Sequence, residues 1–319
     1  MARVSVITPV YNGARTIARA IDSVLAQSFS DFEIIIADDG SIDGTAQIVE
    51  GYGERITLLR EKHAQQAAAR NLAVKASHGE YLAFLDADDS WLPDKLARCV
   101  EALDRNSGCV MVYSNMIAIG SDGADLAIEM IPAPVARAPS MHDLLTGLWP
   151  IVPSTVVIRR EAFDRAGGFS TAVAGCEDIY FWLFAREQGE FRYLPEKLVR
   201  FAYDSYPELL RVLRRDLEGG TQNFIPLIRK RYGADAESLA RYYRRHKVSL
   251  LSRAGLLALV HGDTHEARQC FLRAIKWGPL ETKTYLRLMR TFMPASVAIR
   301  LSGNAARREA ESRTRSPII

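Results

Sequence analysis

The sequence lacks the features that mark disulfide-rich, zinc-stabilised or membrane-spanning proteins. No C-x-x-C pair occurs and no His lies at metal-ligand spacing from a cysteine, which argues against a structural zinc and fits reduced thiols. The four cysteines are far apart in the 319 residues, at Cys99, Cys109, Cys176 and Cys270. No apolar run approaches the roughly 20 residues that cross a bilayer, and MARVSVITPVYN has no signal-peptide cleavage pattern. We expect a cytoplasmic protein, with peripheral contact to the inner face of the cytoplasmic membrane left open.

Two glycine-rich nucleotide-binding patterns are also missing. A dehydrogenase would carry G-x-G-x-x-G after its first strand, and a nucleotidyltransferase a glycine-rich basic loop. The chain reads TPVYNGART at this position, which fits neither class. With 48% hydrophobic and 25% charged residues, the composition is that of an ordinary globular protein.

Charge is unevenly distributed. Residues 1–204 hold 19 Lys and Arg against 28 Asp and Glu, whereas residues 205–319 hold 22 against 10, a net charge of +12. The basic half is either a solvated helical surface, an oligomerisation module, or a surface attracted to anionic lipid headgroups. The apolar stretch 250–259, beside Arg241, Arg244, Arg245 and Lys247, favours membrane contact. No nucleic-acid-binding motif accompanies the charge, so nucleic acid is not an expected partner.

The first 115 residues alternate β-rich runs with helical patterns. Strands are predicted at 4–10, 32–37, 56–59 and 81–85, with helices at 14–27, 44–52 and 65–77 and a further helix after Pro93. This alternation predicts a parallel sheet, which binds ligands beyond the carboxyl ends of its strands.

The remaining chain predicts further strands and then only helices. A strand at 109–119, a loop at 120–140, a β-rich run at 152–158 and a helix at 160–166 precede an aromatic helix that begins at Glu177. Beyond residue 203, helical periodicity recurs at 209–217, 224–232, 239–259 and 266–276.

Polar clusters follow three of the predicted strands. They are Tyr11-Asn12, Asp38-Asp39, and the carboxylates Asp86, Asp88 and Asp89. Carboxylates two residues apart at a strand end can bind a divalent cation together, and such a cation can neutralise a diphosphate. Turns and helix caps use the same residue types, but three clusters at one sheet edge favour a binding site.

Four segments together resemble the family 2 glycosyltransferases, which are inverting enzymes of the GT-A fold. The segments are VSVITPVYNGARTIARAIDSVLAQSF, FEIIIADDGSIDGT, AAARNLAVKASHGEYLAFLDADD and GCEDIYFWL, within about the first 200 residues. The resemblance implies an α/β fold with a Rossmann-like mixed sheet flanked by helices, followed by a C-terminal all-helical region. Residues 1–115 would form the nucleotide-sugar-binding half and 116–204 the acceptor-binding half. Residues 205–302 would form the basic helical region, and 303–319 a disordered tail.

The resemblance also assigns roles to individual residues. Donor-binding positions are Pro9, Tyr11, Asn12, Asp38, Asp39, Arg70 and Asp86. Asp86 and Asp88 match the D-x-D that holds Mg²⁺ or Mn²⁺, and Asp178 matches the catalytic base. Glu177 would orient the base or hold an acceptor hydroxyl. Trp149 and Trp182 are candidates for stacking on the acceptor sugar, with plain core packing as the alternative.

The implied reaction is metal-dependent, inverting transfer of a sugar from a nucleoside-diphosphate sugar, with UDP favoured, to a hydroxyl of a glycan or lipid-linked acceptor. Cell-surface polysaccharide or glycolipid synthesis is the expected setting. The Q-x-x-R-W signature of processive synthases is missing, so we expect one sugar per encounter. The alternative is a catalytically idle binding or scaffold protein that assembles through its helical region. Two departures from the family pattern are His63 and Gln65 in place of Asn and Gly, and Phe201-Ala202-Tyr203-Asp204 in place of a Tyr-Arg-x-His sequence.

Overall fold

A computed structural model describes residues 2–61, 65–120, 123–131, 137–146, 151–173, 177–202, 220–260, 262–278 and 282–293. The chain divides into two compact units. The first comprises residues 1–144 and 148–203, and the second comprises 145–147 and 204–319.

The described strands of the first unit form one mixed sheet. They are β1 Val4–Val10, β2 Phe32–Asp38, β3 Thr57–Arg60, β4 Tyr81–Phe84, β5 Ser90–Trp91, β6 Cys109–Ile119, β7 Asp125–Glu129, β8 Val156–Arg159 and β9 Glu190–Ala202. Their order is β3-β2-β1-β4-β8-β6-β9-β5, with β7 paired to β6.

Helices follow most of these strands. Before residue 203 the described helices are α1 Ile17–Leu25, α2 Thr45–Glu50, α3 Gln66–Lys75, α4 Lys95–Asp104, α5 Met141–Thr146, α6 Arg160–Ala166 and α7 Glu177–Glu187. In α1, Ile17, Ala20, Ile21 and Val24 are buried, as the helical spacing of its apolar residues predicts. Gly167 ends α6 in the left-handed conformation at φ 86°, which glycine adopts without steric cost.

Strands β1, β2, β3 and β4 run parallel to one another. Every residue of β1 is buried because the central strand of such a sheet is covered on both faces. β8 then pairs antiparallel with both β4 and β6, which makes the sheet mixed. The predicted α/β class with a mixed sheet, flanking helices and a helical C-terminal region is therefore confirmed.

Two local predictions in the first unit are wrong. The predicted loop 120–140 contains β7, which pairs antiparallel with β6. The β-rich run 152–158 is divided, because Pro153–Thr155 forms a 3-10 turn and the strand begins only at Val156. In both segments the partner strands decide where backbone hydrogen bonds form: β7 pairs with β6, which directly precedes it, and β8 pairs with β4 and β6.

The described helices of the second unit are α8 Gly220–Tyr232, α9 Ala236–Val260, α10 Thr264–Trp277 and α11 Thr282–Arg290. Gly262, at φ 81°, turns the chain between α9 and α10, and the Asp263 carboxylate accepts the Glu266 N–H at 2.9 Å to cap α10.

Apolar residues of α9 and α10 form two buried clusters in this unit. Their buried members are Val248, Leu251, Ala254, Leu256, Ala258, Leu259, Ala267, Cys270, Phe271 and Ala274. The described side chains of the stretch 250–259 are thus buried, and the expectation that this stretch faces a membrane is wrong. None of the described helices is long and apolar enough to cross a bilayer. The predicted helix 209–217 and the predicted tail 303–319 lie outside the described residues.

Candidate active site

The carboxyl ends of β1, β2 and β4 meet at one edge of the sheet. Val10 pairs with Asp38, and Ile7 pairs with Phe84, two residues before Asp86. Pro9 is buried within β1, and Tyr11 lies half-buried immediately beyond it. The sheet therefore brings the three predicted polar clusters to the same edge.

Asn12 connects the loops that follow β1 and β2. It has φ 52°, a left-handed conformation that Asn tolerates better than most residues. Its side-chain Oδ1 accepts the Ile42 N–H at 2.9 Å, and its own N–H donates to Ser41 Oγ at 2.8 Å. Asn12 therefore positions these two loops, and the donor contact that the sequence predicts for it would come in addition.

Asp38 and Asp39 are both almost fully buried at the end of β2. Asp38 Oδ1 accepts the Ser41 N–H at 2.9 Å. Its Oδ2 has no hydrogen-bond partner among the described residues, although Arg60 Nε lies 3.8 Å away. Asp39 Oδ2 accepts the Gln65 N–H at 3.1 Å. A buried carboxylate oxygen without a hydrogen bond is costly, so Asp38 Oδ2 marks a position where a ligand hydroxyl could donate.

Gln65 holds an unusual backbone conformation immediately before α3. Its φ of 81° and ψ of 155° lie in a region that essentially only glycine occupies. The family pattern has glycine here, so the backbone follows the family while the side chain departs from it. The hydrogen bond to Asp39 holds this conformation and fixes the start of α3, which carries Arg70.

Arg70 links the two halves of the candidate site. Its side chain is 3% exposed, and its Nη2 lies 2.6 Å from Asp86 Oδ1 while its Nη1 lies 3.9 Å from Glu177 Oε1. The guanidinium also lies 5.4 Å from the centre of the Phe169 ring. Burial by itself lowers the pKa of Arg70, but Asp86 and Glu177 outweigh it and raise that pKa, so the residue stays charged. Its Nε has no hydrogen-bond partner among the described residues.

The three acids after β4 have different surroundings. Asp86 also accepts a long hydrogen bond from Gln66 Nε2 at 3.4 Å, and the Asp88 main-chain oxygen accepts one from Arg19 at 2.6 Å. Both Asp86 and Asp88 are partly exposed. They are therefore able to face a ligand at the sheet edge.

Asp89 is instead 1% exposed and accepts the Ser154 hydroxyl and, at 2.8 Å, the Ala202 N–H. Ser154 Oγ also accepts the Asp86 N–H at 3.0 Å. Burial, together with the negative charges of Asp88 and Asp86, raises the pKa of Asp89 well above its usual range. Asp89 therefore fixes the loop 85–89, which we call the acid loop, against β9 and the turn before β8. The sequence offers no signal for Ser154, whereas Asp89 belongs to the predicted carboxylate cluster and Gln66 directly precedes the segment AAARN that contains Arg70.

Glu177 and Asp178 begin α7. Glu177 is 5% exposed, and its Oε2 has no hydrogen-bond partner among the described residues. Asp178 Oδ1 accepts the Ile179 N–H at 2.7 Å. Burial, and then the charge of Glu177, raises the pKa of Asp178 to about 7, although the Ile179 N–H opposes the shift. A carboxylate with this pKa can accept a proton near neutral pH.

Trp182 lies in the core of the first unit. It is 2% exposed, donates its indole N–H to the Ile151 carbonyl at 3.1 Å, and packs against Phe169 and Phe181. These contacts support the packing alternative over sugar stacking. Trp149 lies outside the described residues, as do His63, Tyr203 and Asp204.

The carboxylates at the sheet edge could supply only some of the ligands that a divalent cation needs. The described residues contain no cluster of three or more His, Cys, Asp or Glu arranged to hold a metal ion. Mg²⁺ commonly takes one or two protein carboxylates and completes its shell with substrate phosphates and water. Asp88 and Asp86, partly exposed beside a charged arginine, suit that kind of shared site.

The sheet topology and the acids at its edge define a GT-A-type α/β fold, which comparisons with solved structures also show. The S. aureus TarS 1–349 structure is 21% identical with a TM-score of 0.57, covering 97% of this chain and 92% of that one. The mannosyltransferase PcManGT from Pyrobaculum calidifontis, in complex with GDP-Man and Mn²⁺, is 20% identical with a TM-score of 0.57 over 99% and 88% of the two chains.

Residues 5–167 match the profile described as Glycosyl transferase family 2, and the chain belongs to that family. It is 31% identical over 213 residues to the putative glycosyltransferase EpsE of Bacillus subtilis, covering 64% of this chain and 74% of EpsE. It is 34% identical over 182 residues to the UDP-Glc:α-D-GlcNAc-diphosphoundecaprenol β-1,3-glucosyltransferase WfgD of Escherichia coli, covering 56% and 68%. The match spans 57% of the length of an uncharacterised glycosyltransferase of Rickettsia prowazekii.

Proposed function

We propose that the protein is an inverting, metal-dependent glycosyltransferase that moves one sugar per encounter from a nucleoside-diphosphate sugar to an acceptor hydroxyl. The contact pattern of Arg70 is the observation that carries this proposal. One buried guanidinium lies beside Asp86, on the donor side, and Glu177, on the acceptor side. This contact supports the proposal, because a direct displacement requires the proposed donor and acceptor acids, which are far apart in sequence, to lie near each other.

Asp178 is the proposed general base. It removes the proton from the acceptor hydroxyl while that oxygen attacks the anomeric carbon from the face opposite the nucleoside diphosphate. A new carbon–oxygen bond forms as the bond to the departing phosphate oxygen breaks, so the configuration inverts and the proton remains on Asp178. A pKa of about 7 suits this role, because a substantial fraction of the group is ionised at neutral pH and the ionised form is basic enough to accept the proton.

Asp88 and Asp86 are the residues that would hold Mg²⁺ or Mn²⁺. When bound, the cation would offset negative charge on the departing diphosphate. Arg70 holds Asp86 through the 2.6 Å contact and thereby fixes the position of this carboxylate. The Mn²⁺ in the PcManGT structure supports a divalent cation here.

UDP is the favoured nucleotide, and a lipid-linked glycan the favoured acceptor. The name of WfgD gives a UDP-sugar donor and a diphosphoundecaprenol acceptor, and TarS has been solved with UDP and UDP-GlcNAc. The donor base and ribose would bind at the sheet edge, at Pro9, Tyr11, Asn12, Asp38 and Asp39. This assignment places the protein in cell-surface polysaccharide or glycolipid synthesis.

A donor panel tests the proposal. UDP-, dTDP- and GDP-sugars are incubated with Mn²⁺, Mg²⁺ or EDTA, and nucleoside diphosphate release is measured. We expect release with at least one donor, its loss in EDTA, and a decrease of about 10²- to 10⁴-fold in Asp178→Asn. Asp164→Asn, an exposed acid on α6, is the matched control and should retain full activity.

Two results would contradict the proposal in different ways. No nucleoside diphosphate release with any donor would favour a sugar-nucleotide-binding or scaffold protein that assembles through its helical region. Undiminished transfer by Asp178→Asn would show that another group removes the proton.

A further inference from the structure

Helix α11 and the turn that follows it expose large apolar residues. On the inner side, Thr284 and Thr291 are only 1% and 4% exposed, and Leu288 packs against a buried cluster of α9 and α10 residues. On the outer side, Leu286, Met289 and Phe292 are 62%, 63% and 68% exposed. A helix on the surface of a globular protein is expected to direct polar residues outward, so this outer face is unusual.

Polar contacts hold α11 in this orientation. The Thr284 hydroxyl lies 3.1 Å from the buried Ser252 hydroxyl of α9. Arg268 of α10 donates to the Thr291 carbonyl at 3.3 Å. Rotating the helix to bury its outer apolar residues would break these contacts and leave the threonine hydroxyls without hydrogen-bond partners or exposed. The fold therefore holds the apolar face outward.

The exposed apolar residues form one stripe. Tyr285 and Met293, each 41% exposed, extend the set: Tyr285, Leu286 and Met289 are at i, i+1 and i+4 on one side of α11, and Phe292 and Met293 follow in the turn after it. A contiguous exposed apolar surface of this kind marks a site that is covered when the protein works. We call Tyr285, Leu286, Met289, Phe292 and Met293 the α11 stripe.

Basic residues border the α11 stripe. Arg287 and Arg290 lie on the same helix with partial exposure, and Lys276 is exposed on α10. The Arg268 guanidinium lies 4.3 Å from the centre of the Phe292 ring, which places a positive charge directly beside the apolar surface. Residues 205–319 carry a net charge of +12. Apolar side chains flanked by Arg and Lys are the composition that inserts at an anionic lipid surface.

We propose that the α11 stripe and its basic border form a docking surface for an anionic membrane. The sequence pointed to residues 250–259 for this role, but the described side chains of that stretch are buried, and α11 supplies the exposed apolar face instead. The surface is defined without reference to the reaction, although it would bring the enzyme to a lipid-linked acceptor.

Vesicle flotation of the full chain tests this proposal without requiring transfer. The probes are phosphatidylcholine vesicles with and without phosphatidylglycerol, at low and high salt. We expect wild type to float with the anionic vesicles, and binding to weaken with salt because charge contributes. The triple variant Leu286→Ser/Met289→Ser/Phe292→Ser should bind at least about tenfold more weakly. Arg287→Gln/Arg290→Gln should weaken binding mainly at low salt.

Leu126→Ser is the matched control, since Leu126 is an apolar residue of β7 with 40% exposure that lies away from α11 in sequence. It should float like wild type, and all variants should retain wild-type circular dichroism and donor turnover. The proposal is overturned if wild type stays with the soluble fraction at low salt. It is also overturned if light scattering shows a wild-type dimer that the triple variant converts to monomer without any effect on flotation, which would identify a second copy as the occupant.

Discussion

Asp178 is placed where the proposed chemistry and the stability of the fold make opposite demands. With a pKa raised to about 7, it is mostly protonated and inactive as a base below that pH. We expect kcat/KM for transfer to rise with pH and to level off above about pH 7, because the free enzyme must hold the ionised carboxylate. A pH–rate profile measured with saturating metal checks this, and a profile that is flat between about pH 5 and pH 8 would contradict it.

The same shift predicts an effect on stability. The folded pKa of Asp178 exceeds its unfolded value of about 3.9, so the folded state binds more protons between these pH values. Stability contributed by this group is therefore present below about pH 4 and is lost as pH rises to about 7. Asp178→Asn should increase the free energy of unfolding by about 1–3 kcal/mol at about pH 8, but not at about pH 4. Urea unfolding at both pH values measures this, with Asp164→Asn as the unchanged control.

The buried contacts of Arg70 predict that removing its charge decreases the stability of the fold. Its guanidinium, 3% exposed, lies between Asp86, which is 20% exposed, and Glu177, which is 7% exposed, so Arg70→Met would leave the two carboxylates close together without a cation. We expect a destabilisation of about 3–5 kcal/mol, typical of breaking a buried ion pair. Arg165→Met is the matched control, because Arg165 is 52% exposed and pairs with Glu161 on the surface of α6. Urea unfolding should give a change within about 0.5 kcal/mol for the control.

Arg70→Lys separates charge from geometry. A single ammonium group cannot reproduce the planar guanidinium that reaches toward both Asp86 and Glu177. We expect it to recover part of the stability lost in Arg70→Met while donor turnover stays low. Full activity in Arg70→Lys would show that only the charge matters at this position.

Gln65, between β3 and α3, has a backbone conformation that residues with a side chain rarely adopt. Gln65 has φ 81° and ψ 155°, and such a conformation costs about 1–3 kcal/mol in a residue with a Cβ. Gln65→Gly should therefore increase the free energy of unfolding by about 1 kcal/mol, after allowing for the greater freedom of glycine in the unfolded chain. Gln66→Gly, at the first residue of α3, should instead decrease it by about 0.5–1 kcal/mol, because its backbone is already helical and the change also removes the hydrogen bond to Asp86. Equal effects of the two substitutions would contradict the assignment.

Strands and helices with a clear pattern of apolar residues could be predicted from the sequence. The β-branched run Val4–Val10 and the spacing of Ile17, Ile21 and Val24 predicted the strand and helix that the structure shows. Elements whose position depends on contacts with another element could not. β7 forms because β6 offers it an edge, and α11 is recognisably amphipathic, but only its contacts with Ser252 and Arg268 reveal which face is inward.

Some features of the candidate site could likewise be predicted from the sequence, and others could not. Acids at strand ends could be located because parallel strands share one edge. The contact of Arg70 with both Asp86 and Glu177, and the role of Ser154 beneath the acid loop, depend on segments that meet only after folding. The proposed roles of the site residues remain predictions.

The two compact units should respond differently to donor. The predicted donor contacts lie on β1, β2, α3 and the acid loop, all within the first unit, whereas α9 and α10 form a separate apolar core. Free UDP with Mn²⁺ at about 100 times its Kd should stabilise the state that binds it by about 2.7 kcal/mol. Hydrogen exchange should then slow in amides of β1, β2 and α3 and stay unchanged in α9 and α10, provided that the units open independently. Asp38→Asn, which weakens the predicted ribose contact, should reduce the slowing in the first unit. Equal slowing in α9 and α10 would show instead that the two units unfold together, and that the C-terminal helices are stabilised by donor binding despite having their own core.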